Sequence, residues 1–431
     1  MIFKRLDKQI SLGFIFYNIH IFIEGISGLM LYPILIKNLD INLAGLWIFF
    51  LSFSPIISLA QAGLGPVVTR LSTKYTKDRT SFNFLNHLKY SYSLVVIFVL
   101  LICAIIYLFY IRGRLLDLNL FADGSLAWLM ISLSFCIRMY FVKNFHVLNG
   151  FGIVGWDKIT NACLTILNLA GIYFIVVNKY SFFYLGLVYF LTSIIYALIS
   201  SRVLIFTNIK DRFSEISRSI IKNEIYKIFS ESGKILVLNI SAILLLQVNL
   251  FVAEYFFGLK TFTYYSALVK CNALVIAVSS TVTTILFPFI SIAYNKNDIL
   301  KVKKLFKQNV IFSFILSFSS YLFLILIANY LIPIWLGEDG YLGDAIFIPL
   351  CFMGLLYINH VAHANSIIAI GANTFIKSAI LIALFSTVFS IIGAKYYGLI
   401  GMIYGTILGL IFPSIYVVIW SRNYIKNLKI I

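Results

Sequence analysis

Apolar runs of about 20 residues follow one another from residue 10 to residue 421, separated by short charged or turn-forming segments. A membrane-spanning helix needs about 20 mostly apolar residues, whereas the strands of a membrane barrel are short and alternate in polarity. The pattern therefore predicts an all-α polytopic membrane protein. Composition agrees, since 61% of the residues are hydrophobic and only 12% charged, far from the roughly even apolar share of soluble domains. The first run is too long for a signal peptide and lacks a small-residue cleavage site, so it reads as a retained helix.

Bounding the runs at charges and turn residues predicts twelve spans, near 10–36, 43–62, 90–111, 125–148, 159–178, 182–206, 234–256, 263–292, 308–330, 343–370, 377–394 and 398–421. With a cytoplasmic N-terminus, 25 of the 34 Lys and Arg fall in inside segments and six outside. The positive-inside rule then places both termini in the cytoplasm. The loops are too short to fold as catalytic domains. Residues 208–233, with Ile209, Phe213, Ile216 and Ile220 near helical spacing among basic residues, read as an amphipathic helix on the inner leaflet. That linker separates an N-terminal lobe, 1–207, from a C-terminal lobe, 234–431, with six spans each.

The two halves show a weak internal repeat. The loop ending at Asp78 parallels the one ending at Asp298, Gly150 and Lys158 parallel Gly371 and Lys377, and the approach to span 6 parallels that to span 12, with offsets near 216 to 222 residues.

Several functions are excluded by what the chain lacks. The formal charge of +18 is spread over short loops with no aromatic-basic binding module, which argues against nucleic acid. Cys103, Cys136, Cys163, Cys271 and Cys351 lie within apolar runs without metal-ligand spacing. No phosphate-binding loop, metalloprotease helix or nucleophile elbow is present. No cofactor is implied, and a carrier of this kind draws on Na⁺ or H⁺ coupling, a partner or the substrate gradient itself.

The positive signal is a set of polar groups inside spans, where lipid penalises them unless they face protein or water. Span 1 carries Asn18, His20 and Glu24; span 4 carries Arg138, Lys143 and His146; span 7 carries Gln247, Asn249 and Glu254; span 8 carries Lys270; span 10 carries His360 and His363. Each has a plainer reading beside the functional one. Arg138 neutralises Glu24, or faces a cavity; Lys270 pairs with Glu254, or lines the same cavity. Lys143 and His146 snorkel to the inner face, or bind substrate. The two histidines titrate in a proton-coupled cycle, or sit in the core. Gln247 and Asn249 hold sugar hydroxyls or an ion, or tie helices together. A cavity with more cations than acids suits an anionic substrate. Pro33 and Pro288 are the hinge candidates.

The segments AQAGLGPVVTRLS (Ala60 to Ser72), LNGFGIVGWDKI (Leu148 to Ile159), IWLGEDGYLGDA (Ile334 to Ala345) and AIGANTFIKSAI through YYGLIGMIYGTI (Ala369 to Ile407) carry a resemblance to a known family. Over nearly its whole length the chain resembles the O-antigen flippases of the polysaccharide-biosynthesis group, within the superfamily that also holds multidrug and toxic-compound extrusion transporters. The resemblance implies a twelve-helix, two-lobed carrier in the inner membrane of a Gram-negative bacterium. Its substrate would be an undecaprenyl-diphosphate-linked oligosaccharide, with other polysaccharide-assembly membrane proteins as partners. The diphosphate would sit among Arg138, Lys143 and Lys270, with Arg70 at the inner mouth receiving the head group. An ion-coupled multidrug exporter of the same fold and a membrane polysaccharide polymerase are the alternatives.

Overall fold

Lipid offers backbone N–H and C=O groups no partners, so a spanning segment must satisfy them internally, and every described apolar run is helical. The computed structural model describes residues 2–62, 64–75, 83–206, 221–371 and 375–428. Side chains are described at 15–57, 59, 64–65, 67–69, 72, 88–205, 240–241, 243–371, 375 and 377–428. The helices are α1 (Ile2–Asn38), α2 (Ile41–Ser52), α3 (Ser54–Ala62), α4 (Leu64–Tyr75), α5 (Asn83–Ile106), α6 (Arg112–Asp117), α7 (Phe121–Gly150), α8 (Trp156–Val177), α9 (Phe183–Phe206), α10 (Ile221–Asn295), α11 (Ile299–Leu336), α12 (Asp344–Ile368) and α13 (Ile376–Asn427). A π-helical turn, Tyr107–Ile111, joins α5 to α6.

Among the described residues nine helices are long and apolar enough to cross a membrane, and Ile41–Ile57 forms a shorter apolar one. The protein is a polytopic helical membrane protein. Two of the nine are double length, Ile243–Asn295 and Lys377–Asn427, and each is broken once by a glycine. Gly258 has φ 75° and ψ 176°, and Gly398 has φ 67° and ψ −155°, values that a residue with a Cβ adopts only under strain. Helical dihedrals continue through Pro33 in α1 and Pro288 in α10, and the breaks fall at the glycines.

Contacts divide the chain into two units, Met1–Leu39 with Phe49–Asn239, and Asp40–Ile48 with Ile240–Ile431. The expected linker helix at 208–233 lies outside the described residues as far as 220, and from Ile221 its backbone belongs to α10. In the first unit α7 packs along α9, α1 along α8, and α4 and α5 against α7. Trp128 on α7 anchors this packing: Phe50 and Phe53 meet its ring edge-on at 5.1 and 5.5 Å, and its Nε1 donates to the Cys103 carbonyl at 3.2 Å.

In the second unit α12 packs between α11 and α13, over a core that includes Val302, Phe306, Ile367, Ile370, Val417 and Ile425. The two arms of α13 lie backbone to backbone. A Cβ at Gly405 would stand 2.5 Å from the Phe389 carbonyl carbon, and one at Gly409 would stand 2.6 Å from that of Phe385. With Gly401 this forms a run of glycines four residues apart, the spacing that lets membrane helices approach closely where no hydrophobic drive between helices exists.

Turns with positive φ recur between the units at a constant offset. Asn119, Gly152 and Lys179 in the first correspond to Gly337, Gly371 and Gly398 in the second, offsets of 218, 219 and 219 residues. Each unit thus repeats one succession of helices and turns.

Candidate functional site

In the first unit the ionisable groups of α7 project from a helix held by α9. Arg138 donates from Nε to Ser193 Oγ at 3.0 Å, its guanidinium lies 5.6 Å from the centroid of the Tyr196 ring, and its buried Nη2 has no hydrogen-bond partner among the described residues. Ser193 also contacts Ser134 Oγ at 2.5 Å and donates to the Tyr189 carbonyl at 2.8 Å. The cation is therefore framed by hydroxyls and rings, and among the described residues no acid contacts it.

Lys143, one and a half turns further along, is only 6% exposed. Its ammonium folds back onto its own helix, 2.9 Å from the Tyr140 ring centroid and 2.6 Å from the Tyr140 carbonyl. Asn144 donates to Ser200 at 3.3 Å, again across α7 and α9. Arg70 lies on α4, and its side chain falls outside the described residues.

Glu24 does not meet Arg138. Its carboxylate is 58% exposed and pairs with His20 one turn earlier, Nε2 to Oε2 at 3.4 Å. The i,i+4 spacing makes that contact local and geometrically cheap, whereas Arg138 is already held by α9. His20 also lies within electrostatic reach of Asp157 and Lys158 at the start of α8. Lys158 stands 3.6 Å from Asp157 and 5.7 Å from the Tyr17 ring centroid on α1. A compact charged cluster thus joins α1 to α8.

The second unit distributes its polar groups along α10, α12 and α13. Asn249 Oδ1 accepts from Ser390 at 2.7 Å and from Thr406 at 3.0 Å, so one amide ties the first arm of α10 to both arms of α13. Gln247 is half-buried on the same arm. Glu254 is fully buried, one turn before Gly258. Lys270 is half-buried on the second arm, and among the described residues no ion pair joins it to Glu254. His363 is fully buried, with Nδ1 2.7 Å from Ser421 Oγ and the Phe306 ring edge-on at 5.4 Å; His360 is half-buried. The His363–Ser421 contact joins α12 to α13 at nearly the repeat offset from Asn144–Ser200.

No family model matches the sequence, and no curated protein matches it. Solved structures do. A variant of the MATE transporter VcmN from Vibrio cholerae superposes with a TM-score of 0.66 at 15% identity, covering 99% of each chain. An inward-facing multidrug resistance MATE family transporter of the MOP superfamily gives 0.66 at 16%, covering 98% of each. The lipid II flippase MurJ, inward closed, gives 0.70 at 16%, covering 95% of this chain and 87% of that one. The fold is that of the MATE and MurJ transporters.

Within this MATE- and MurJ-like fold, α7 carries Arg138 and Lys143 in the first unit, each held by its own partners, while Lys270, Asn249 and Glu254 belong to the second. Sequence reasoning missed Ser193 and Tyr196 as the groups that hold Arg138, because nothing along α9 marks which of its many hydroxyls and rings faces α7. It also missed Asp157 and Lys158 as neighbours of His20. The WDK segment at the head of α8 was a visible signal, but not its packing against α1.

Proposed function

We propose that this chain is a flippase of the MOP superfamily in the inner membrane of a bacterium. It moves an undecaprenyl-diphosphate-linked O-antigen or polysaccharide repeat unit from the cytoplasmic to the periplasmic leaflet by alternating access. The observation that carries the reading is Arg138, a cation in the middle of an apolar span whose buried Nη2 meets neither a hydrogen-bond partner nor an acid among the described residues. A charged side chain at this depth costs about 2.5–3.5 kcal/mol on insertion scales, and an anionic head group would offset part of that cost. Lys143 and Arg70 in the first unit and Lys270 in the second are the further candidates for contact with the diphosphate. Gln247 and Asn249 face the sugars, and other polysaccharide-assembly membrane proteins act alongside.

The break at Gly258, the break at Gly398 and the short helix Ile41–Ile57 support twelve crossings in two lobes, with both termini cytoplasmic. The chain works as a carrier and not as an enzyme. Glu24 and Glu254, with His360 and His363, serve Na⁺ or H⁺ coupling or act as counter-charges.

A second reading, an ion-coupled multidrug exporter, is favoured by the full burial of Glu254 and by the MATE likeness, since a buried acid suits cationic substrates. Deleting the gene separates the two. Accumulation of a lipid-linked sugar on the cytoplasmic leaflet supports the flippase, whereas a normal surface glycan in a drug-sensitive cell supports the exporter.

A further inference from the structure

A cleft in the second unit, at the ends of α10 and α13, has a lining that neither helix packing nor the transport path requires. It has a volume of about 700 Å³ and is lined by Tyr294, Tyr416, Trp420, Asn423, Tyr424 and Asn427, among others. Positions 416, 420, 423, 424 and 427 share one helical face. Trp420 and Tyr424 stack at 4.8 Å with an interplanar angle of 17°, and Phe375 braces Trp420 edge-on at 5.2 Å. The pair therefore presents a flat, rigid ring surface backed by the unit's core. Beside it stand two exposed amides, Asn423 and Asn427, each with two donors and an acceptor.

Cations stand near these helix ends: Lys296 follows Tyr294 at the end of α10, and Lys303 Nζ donates to the Lys426 carbonyl, next to Asn427 at the end of α13, at 3.0 Å. The neighbouring acid, Asp298, is taken up as the N-cap of α11, accepting from the Lys301 N–H at 3.0 Å. Rings that stack on the C–H face of a sugar, amides that hydrogen-bond its hydroxyls and cations at the neighbouring helix ends that attract phosphate together define one ligand chemistry.

We propose that this cleft docks the head group of a lipid-borne saccharide phosphate. The sugar lies on the Trp420–Tyr424 stack, its hydroxyls bond to Asn423 and Asn427, and its phosphate lies toward Lys303 at the end of α13. The proposal rests on the reading of the chain as a carrier of lipid-linked glycans and gives that substrate a second site.

The test measures calorimetric binding to the full chain in lipid nanodiscs, using farnesyl-diphosphate-linked N-acetylglucosamine, farnesyl diphosphate and N-acetylglucosamine 1-phosphate. The native protein is expected to bind the first probe at least tenfold more tightly than either other. The double substitution Asn423→Ala/Asn427→Ala, which touches exposed side chains only, should weaken the first probe about tenfold and leave farnesyl diphosphate unchanged. Trp420→Phe should keep more of the affinity than Trp420→Ala. If the native protein binds the first probe and the amide double variant binds it equally well, the rings and amides are an interfacial belt and the cleft proposal falls while the transport reading stands. Equal affinity for the soluble sugar phosphate would remove the lipid from the proposal. No binding of the sugar-bearing probes by the native protein overturns both the site and the transport reading.

Discussion

Arg138 on α7 and Ser193 on α9 are joined by a 3.0 Å hydrogen bond from Nε, and the same serine is shared with Ser134 and the Tyr189 carbonyl. The guanidinium is thereby fixed in orientation while Nη2 stays buried and, among the described residues, unpartnered. An unsatisfied buried donor costs about 1–3 kcal/mol, more when charged. That standing cost is what a bound phosphate would relieve.

Charge at position 138 should therefore matter more than the shape of the side chain. In cells that depend on this gene for surface polysaccharide, Arg138→Glu should lower export at least tenfold at unchanged protein level, and Arg138→Lys should retain most of it. Lys143→Met should cost less than Arg138→Glu, since the Lys143 ammonium is already held by Tyr140. Equal export by Arg138→Glu and the native protein would remove the cation from the mechanism.

Glu24 has His20 as its counter-group on α1, so the acid can be neutralised without dismantling the bundle. Glu24→Gln is expected to leave the protein folded and to abolish the dependence of transport on an imposed Na⁺ or H⁺ gradient. Gradient dependence that survives the substitution would assign the pair to surface electrostatics.

The glycine seam of α13 makes a stability prediction. Gly405→Val drives a side chain into the backbone at Phe389 and should destabilise by about 1–3 kcal/mol, the usual range for overpacking, visible as a lower unfolding temperature in detergent. Gly113→Ala on α6, where an added Cβ meets nothing within 4 Å, should be neutral or stabilising by up to about 1 kcal/mol.

Asn249 separates packing from substrate contact. Asn249→Leu deprives Ser390 and Thr406 of their shared acceptor, although Thr406 keeps the Met402 carbonyl at 3.0 Å. Thermal unfolding should register a loss of about 1–3 kcal/mol, and Ser390→Ala in the same chain should restore part of it. Unchanged stability with lost transport would leave the amide with its substrate role alone.

Helix existence was legible because a 20-residue apolar run has few alternatives in lipid. The ends were less so. α11 begins at Ile299, although its apolar run begins near 308, because Lys301, Lys303, Lys304 and Lys307 continue the helical ladder in water, where hydropathy gives no signal. Gly258 and Gly398 fell at expected span boundaries, yet the structure keeps helix on both sides of each and makes the glycine itself the bend. Pro33 and Pro288 drew attention as hinges and interrupt nothing. His20–Glu24 was written in the i,i+4 spacing. Arg138–Ser193 was not, since it depends on the rotation of α9 against α7, which a single chain of letters does not encode.

The central claim is a lipid-linked, anionic glycan as cargo, and flipping in reconstituted vesicles tests it most directly. Vesicles carrying the purified chain and a fluorescent polyprenyl-diphosphate-linked saccharide are assayed by quenching of the outer leaflet. The account predicts gradient-dependent loss of leaflet asymmetry with the native protein and at least tenfold slower loss with Arg138→Glu. Unchanged asymmetry with the native protein, together with gradient-driven transport of a cationic dye in the same vesicles, would contradict the account and establish a drug exporter.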